Sequence, residues 1–278
     1  MHPILFHLGS VTVRSYGVLL VTGFLAGLWR AMWLCQRRQK ELPPGSPRRV
    51  HPDAIFDIGI GVLFSGLVGA RLLFVLLDWG SFAAHPIDAL KIWQGGLSLH
   101  GALIFGIGFL TIYCWRKKLS MMAVGDIAAP TFALSYAIGR VGCLLNGCCY
   151  GRPTNMPWGI RFPSEQFPGV MTPPSHPTQL YATLFNLFWF WVLLRWEKRR
   201  HHDGDLFYGY IAMYGIYRFI DEEFRAGATS TYLIPSMHLT DTHIASLVMI
   251  VIGAAGMLWL RRHRTAYVSP SAPAEASA

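Results

Sequence analysis

Charge is what this chain has least of. Only 14% of its 278 residues are charged, and 15 are acidic, where a water-soluble domain carries about 25% charged residues. That shortage excludes a large solvated surface. Cysteine is scarce too, and five residues cannot staple a disulfide scaffold. No internal repeat is evident, which disfavours transporters that bind substrate near the bilayer midplane on broken, repeated helices. The first apolar run has no small-residue cleavage pattern, so it reads as a retained span rather than a signal peptide.

What is present is apolar sequence. Hydrophobic residues make up 53% of the chain, in runs of about twenty residues, each long enough to cross roughly 30 Å of hydrocarbon as a helix. Spans are expected at 16–36, 54–77, 95–115, 121–145, 178–195, 205–224 and 242–260. The fold class is therefore all-α: a polytopic membrane protein of about seven transmembrane helices. One membrane domain covers 1–265, with an outer loop at about 146–177 and a disordered tail at 266–278. The loop is rich in turn-forming proline (Pro153, Pro157, Pro163, Pro168, Pro173, Pro174 and Pro177).

The net charge of +9 raises the possibility of nucleic acid, but the location of the charges argues against it. Basic residues gather at alternate ends of the spans: Arg37, Arg38, Lys40, Arg48 and Arg49; Arg116 to Lys118; Arg195 with Lys198, Arg199 and Arg200; Arg261, Arg262 and Arg264. The opposite side carries Arg14, Lys91, Arg152, Arg161 and Arg225. This excess marks the cytoplasmic face, with the N-terminus outside and the C-terminus in the cytoplasm.

Against that background the segment 139–151 stands out, with Arg140, Cys143, Cys148 and Cys149 among four glycines. An arginine within hydrocarbon costs a few kcal/mol on insertion scales and usually has a partner or a task. The cysteine spacing lacks a clear fourth ligand, so a metal site is disfavoured from sequence. A disulfide among the three is open. Arg71, His100, Arg140 and Arg218 come from four different spans, each five or six residues from its outer end, roughly 8–9 Å along the helix axis. A matched depth suggests a shared polar cavity for an anionic lipid headgroup, to which the arginine fork is suited. Blander readings stand beside it. Arg71 could reach the headgroups, His100 could be a packing histidine, Tyr16 could belong to an aromatic belt, and Arg218 could pair with Glu222 at i+4.

The chain resembles the prolipoprotein diacylglyceryl transferase family. The likeness rests on Gly-Arg-Val-Gly at 139–142 with Asn146 and Gly151, on Trp93 to Gly101, on Tyr16-Gly17 and on Gly69-Ala70-Arg71. His176 to Tyr181, and Tyr214 to Arg218 with Glu222 and Arg225, complete it, so that it covers about residues 1–260. The resemblance implies an enzyme of the bacterial inner membrane with its site toward the periplasm. It would move diacylglyceryl from phosphatidylglycerol to the lipobox cysteine of prolipoproteins and release glycerol phosphate, the first step of lipoprotein maturation. It implies His100, Arg140 and Arg218 as catalytic residues, with Tyr16, Arg71, Asn146, Gly151, Tyr214 and Glu222 binding substrate, and no metal or other cofactor. The chain departs from the family's usual residues at Cys143 (Asn), Leu144 (Phe), Cys148 (Glu), Ala102 (Gly) and Ala182 (Glu). The alternative is a divergent relative that binds or transports an anionic phospholipid.

Overall fold

The structure is a computed structural model describing residues 1–8, 11–40, 42, 46, 48–83, 85–164, 169–198, 202–225, 232–234 and 239–263. The expected tail at 266–278 lies outside the described residues, as do Arg199, Arg200, Arg264 and Pro168.

The chain is mostly helical. Its long helices are α1 (Ser15–Gln39), α2 (Pro52–Leu77), α4 (Leu99–Arg116), α5 (Met121–Asn146), α6 (Thr178–Glu197), α7 (Asp205–Arg225) and α8 (Asp241–His263), with a single-turn helix α3 (Trp79–Phe82) after α2. They form over the apolar runs. Five of them (α1, α2, α4, α5 and α8) are long and apolar enough to cross a membrane by length and composition. Helix α7 falls short because Asp205, Arg218, Asp221, Glu222, Glu223 and Arg225 stand on it. The all-α expectation needs one amendment: two small antiparallel pairs, β1 (Ile4–Leu8) with β2 (Val11–Arg14), and β3 (Tyr232–Ile234) with β4 (Leu239–Thr240). Val11, Thr12 and Val13 are β-branched, and this stiffness favours the extended chain.

The chain divides into two compact units, one of 31–124 and one of 1–30 with 125–278. In the first, α2 and α4 pack at close range through small residues. A Cβ at Gly101 would come within 2.2 Å of the Gly69 carbonyl oxygen, and one at Gly69 within 2.4 Å of the Phe105 side chain. Without a hydrophobic driving force between helices in lipid, such contact is a main source of cohesion. Arg71 on α2 gathers the segment before α4. Its Nε donates to Ala89 O at 2.7 Å and its Nη2 to Asp88 O at 2.8 Å. Its Nη1 donates to Gly95 O at 2.7 Å and Gly96 O at 3.0 Å.

In the second unit, α5, α6 and α7 share a core of Ala129, Ala133, Leu193 and Leu206, flanked by Phe190, Trp196 and Tyr210. The first turn of α7 is capped from α5 by the fully buried Asp126. Its Oδ2 accepts from Gly204 N at 2.9 Å, and its Oδ1 from Leu206 N at 3.0 Å and Phe207 N at 3.1 Å. Helix starts leave such N–H groups without intrahelical partners, and an anion there also meets the positive end of the helix dipole. This cap fixes the origin of the helix that carries Tyr214, Tyr217 and Arg218.

Replacing Gly101 by valine is expected to destabilise the α2–α4 pair by about 1–3 kcal/mol, the usual cost of overpacking. Thermal unfolding in detergent is the measurement, with Gly80→Val, where an added Cβ meets nothing within 4 Å, as the neutral control.

Candidate active site

Arg140 lies on α5 six residues before its end, with Tyr136 one turn behind it. Its Nε and Nη2 both donate to Tyr136 Oη, the former at 2.9 Å, and its guanidinium carbon lies 4.9 Å from the Tyr136 ring centroid. Tyr214 sets its edge against Tyr136 at 5.6 Å, and Tyr210 and Tyr217 flank Tyr214 at 6.1 and 6.0 Å. The arginine is thus seated on a tyrosine cluster contributed by α5 and α7. Among the described residues no carboxylate pairs with it, although arginine has five N–H donors to satisfy.

Arg218 is placed differently. Its Nη1 meets Glu222 Oε2 at 2.8 Å and Asp221 Oδ2 at 3.4 Å, and Arg225 approaches the same Asp221 oxygen at 3.9 Å. The intrahelical pair anticipated at i+4 therefore forms. Glu222 is fully buried, and its Oε1 accepts from Thr240 Oγ1 at 3.1 Å, tying α7 to β4. These contacts give Glu222 a structural employment.

Tyr16, Asn146 and Gly151 lie at or near the C-terminal end of α5. Tyr16 is the exposed second residue of α1, and its Cα would stand 3.4 Å from a Cβ at Gly142. It lies within electrostatic reach of Arg140, Cys143, Cys148 and Cys149. Asn146 ends α5. Beyond it Gly147 (φ 78) and Cys149 (φ 63) adopt left-handed backbone and turn the chain sharply. For a residue other than glycine that conformation costs of order 1–3 kcal/mol, so its surroundings must impose it. They do: Gln179 Nε2 donates to Cys148 O at 2.6 Å and Thr178 Oγ1 to Cys149 O at 2.8 Å, both from the buried first turn of α6. Gly151 is walled in, for a Cβ there would meet Phe224 O at 2.5 Å. The three sulfurs of Cys143, Cys148 and Cys149 lie within 4.8 Å of one another, and these three are free thiols. The Cys149 thiol is held below the ordinary thiol range, first by the neighbouring Cys143 and Cys148 thiols and then by the Arg225 and Arg140 charges.

Arg71 and His100 belong to the other unit. Arg71 is buried and spends its donors on the four loop carbonyls given above. His100 is exposed in the first turn of α4. Beside the Arg140 cluster, a groove of about 480 Å³ is lined by Trp158, Tyr181, Phe185, Tyr217 and Phe224, with His176 and Asp221 as polar members. Tyr136 and Asp221 were absent from the residues singled out by sequence, and Tyr217 entered only as part of the Tyr214 to Arg218 motif. The i−4 spacing of Tyr136 from Arg140 was the available signal.

A sequence model described as prolipoprotein diacylglyceryl transferase matches residues 3–259. The chain belongs to the prolipoprotein diacylglyceryl transferase family. Relatives named phosphatidylglycerol--prolipoprotein diacylglyceryl transferase include one from Nostoc sp., 34% identical over 97% of this chain and 94% of its own length. Another, from Geobacter sulfurreducens, is 36% identical over 80% of this chain and 82% of its own. A third, from Clostridium tetani, is 31% identical over 91% and 95%. Membership in this transferase family makes the chain an enzyme by kind, and the long apolar helices fit a multi-pass membrane protein.

Within this family member the loop after α5 is expected to be sensitive to acid. His176 is held below the usual histidine range, first by burial and then by the Arg152 charge, while its Nδ1 lies 3.1 Å from Tyr181 Oη. A histidine kept neutral in the folded loop protonates more readily once the loop opens, so loop stability falls as pH drops below the ordinary histidine value. Amide exchange at Gly151 and Ile160, corrected for intrinsic rate, is expected to speed up between pH 7 and pH 5, and His176→Gln to flatten that dependence.

Proposed function

We propose that this chain transfers the diacylglyceryl group of phosphatidylglycerol to the lipobox cysteine thiol of prolipoproteins, releasing glycerol phosphate. The single observation that carries the reading is Arg140, a cation near the C-terminal end of an apolar helix, aimed by tyrosine and without a carboxylate partner among the described residues. Such a group suits a phosphate on a lipid, because the guanidinium offers paired charge-assisted hydrogen bonds. The names of the relatives supply the two substrates.

In this reading the acceptor thiolate attacks a glycerol carbon, the bond from that carbon to the phosphate oxygen breaks, and Arg140 stabilises the charge that gathers on the leaving phosphate. A free thiol has a pKa near 8.5, so a base is useful, and His100 is proposed for that part from its motif. Arg218 is already paired with Asp221 and Glu222 and offers no open fork, so its part at the phosphate is proposed from its motif. Tyr16, Asn146, Gly151 and Tyr214 shape the headgroup site. Arg71 acts through the loop whose carbonyls it holds. The apolar groove at Trp158 and Phe224 suits hydrocarbon from either lipophilic substrate. The seven long helices act as seven spans in the bacterial inner membrane, with the N-terminus and the site on the periplasmic side and the C-terminus in the cytoplasm. The basic clusters support that orientation.

The test is a detergent assay with phosphatidylglycerol and a lipobox peptide, reading thioether product and glycerol phosphate together. Arg140→Lys keeps the charge but loses the fork, and is expected to lower kcat/KM by about 10²–10³-fold, as losing one oriented transition-state donor does. Tyr136→Phe removes only the group that aims the fork, for a loss of about tenfold. Lipid binding without any thioether, beside an active relative, would reject transfer and favour the binding alternative.

A further inference from the structure

The three-cysteine cluster is unexplained by phosphate binding, and its geometry is specific. In an extended chain the vicinal pair Cys148 and Cys149 would point to opposite faces. The left-handed backbone of Cys149 brings both sulfurs to one side, where Cys143 reaches them from the last turns of α5. Thr178 and Gln179 hold the two cysteine carbonyls, so the turn is fixed independently of the sulfurs.

We infer that Cys143, Cys148 and Cys149 form a three-thiolate site for a thiophilic metal ion such as Zn2+, open at a fourth position to an incoming thiol. Zinc–sulfur bonds of about 2.3 Å in tetrahedral geometry place sulfurs roughly 3.8 Å apart. The observed spread, all within 4.8 Å, therefore closes by about 1 Å at most, shared between two side chains. Thiolate ligands favour zinc or copper(I) over hard ions, and three protein ligands with an open position are the arrangement of reactive rather than purely structural zinc sites. Three thiolates on a divalent ion leave one negative charge, beside Arg140 and Arg225, which lie within electrostatic reach of Cys149. A single disulfide would use two of the sulfurs and leave the convergence of the third without a purpose.

The role of the open position rests on the transfer reading above. A peptide thiol that binds there gives up its proton to solvent or a nearby base and becomes a metal-held thiolate. It then forms the sulfur–carbon bond as the carbon–oxygen bond to phosphate breaks. No oxidant or reductant enters. The ion would stand about one helical turn beyond Arg140, on which the phosphate is proposed to sit.

The test uses the full chain, purified in detergent under reducing conditions and stripped with a chelator. Titration with Co2+ and then Zn2+ is expected to give one ion per chain, a sulfur-to-cobalt charge-transfer band, and protection of three of the five thiols from a thiol reagent. Cys148→Ser should weaken binding by more than the roughly 10–100-fold that losing an outer-shell partner costs, while the Cys35→Ser/Cys114→Ser double variant binds as before. A lipobox peptide should shift the cobalt band, and its Cys→Ser analogue should not. Absence of stoichiometric binding, unchanged binding with all three cysteines replaced by serine, or a disulfide among them in the isolated chain would overturn the site. A cobalt band blind to the peptide thiol would overturn the open position. A chain that binds ion and thiol yet yields no thioether would instead refute the transfer reading and leave the metal site standing.

Discussion

A guanidinium within a long apolar helix must have its charge answered nearby, because water is scarce and insertion of arginine there costs about 2.5–3.5 kcal/mol even by the gentler scales. Four arginines of this chain meet that demand in different ways. Arg30 reaches Glu197 at 2.8 Å and the Ile127 carbonyl at 3.3 Å, joining α1 to α5 and α6. Arg71 takes four backbone carbonyls and so organises a loop. Arg218 takes two carboxylates on its own helix. Arg140 takes a tyrosine oxygen and an aromatic face, which are weaker answers than a carboxylate. The same electrostatic constraint therefore gives three of these residues strong partners and leaves Arg140 with the weaker ones.

Helix α7 shows how that division is maintained. Asp221 and Glu222 sit three and four residues beyond Arg218, so both reach back to it, and Asp221 also meets Arg225. This local pairing keeps the acidic groups occupied on α7. Tyr210, Tyr214 and Tyr217, on the preceding turns, are the residues of this helix that join Tyr136 in the cluster beneath Arg140. One helix thus supplies neutral aromatic support to one arginine and full neutralisation to another.

The helices were legible because twenty-residue apolar runs have few other uses, and each long helix forms over one of them. The Arg218–Glu222 pair was legible from i,i+4 spacing, and Tyr136 lay open to the same argument. The partners of Arg71 were hidden, since backbone carbonyls of a loop leave no mark in residue identity. The convergence of three sulfurs was hidden as well. It depends on a left-handed cysteine imposed by two side chains about thirty residues downstream, which no spacing rule anticipates. Residue identity revealed the elements and the costly charges; the partners that decide each charge's employment came from tertiary contact.

Asp126 carries a consequence of a different kind. Its carboxylate terminates a helix whose first capped amide, Gly204, lies 78 residues further along the chain. Synthesis runs from the N-terminus, so the acceptor is made well before the donors that need it. When α7 emerges, the buried anion that seats its first turn has already been delivered with α5. The later helix is assembled onto a socket prepared by the earlier one, and a chain truncated before residue 126 would have none to offer.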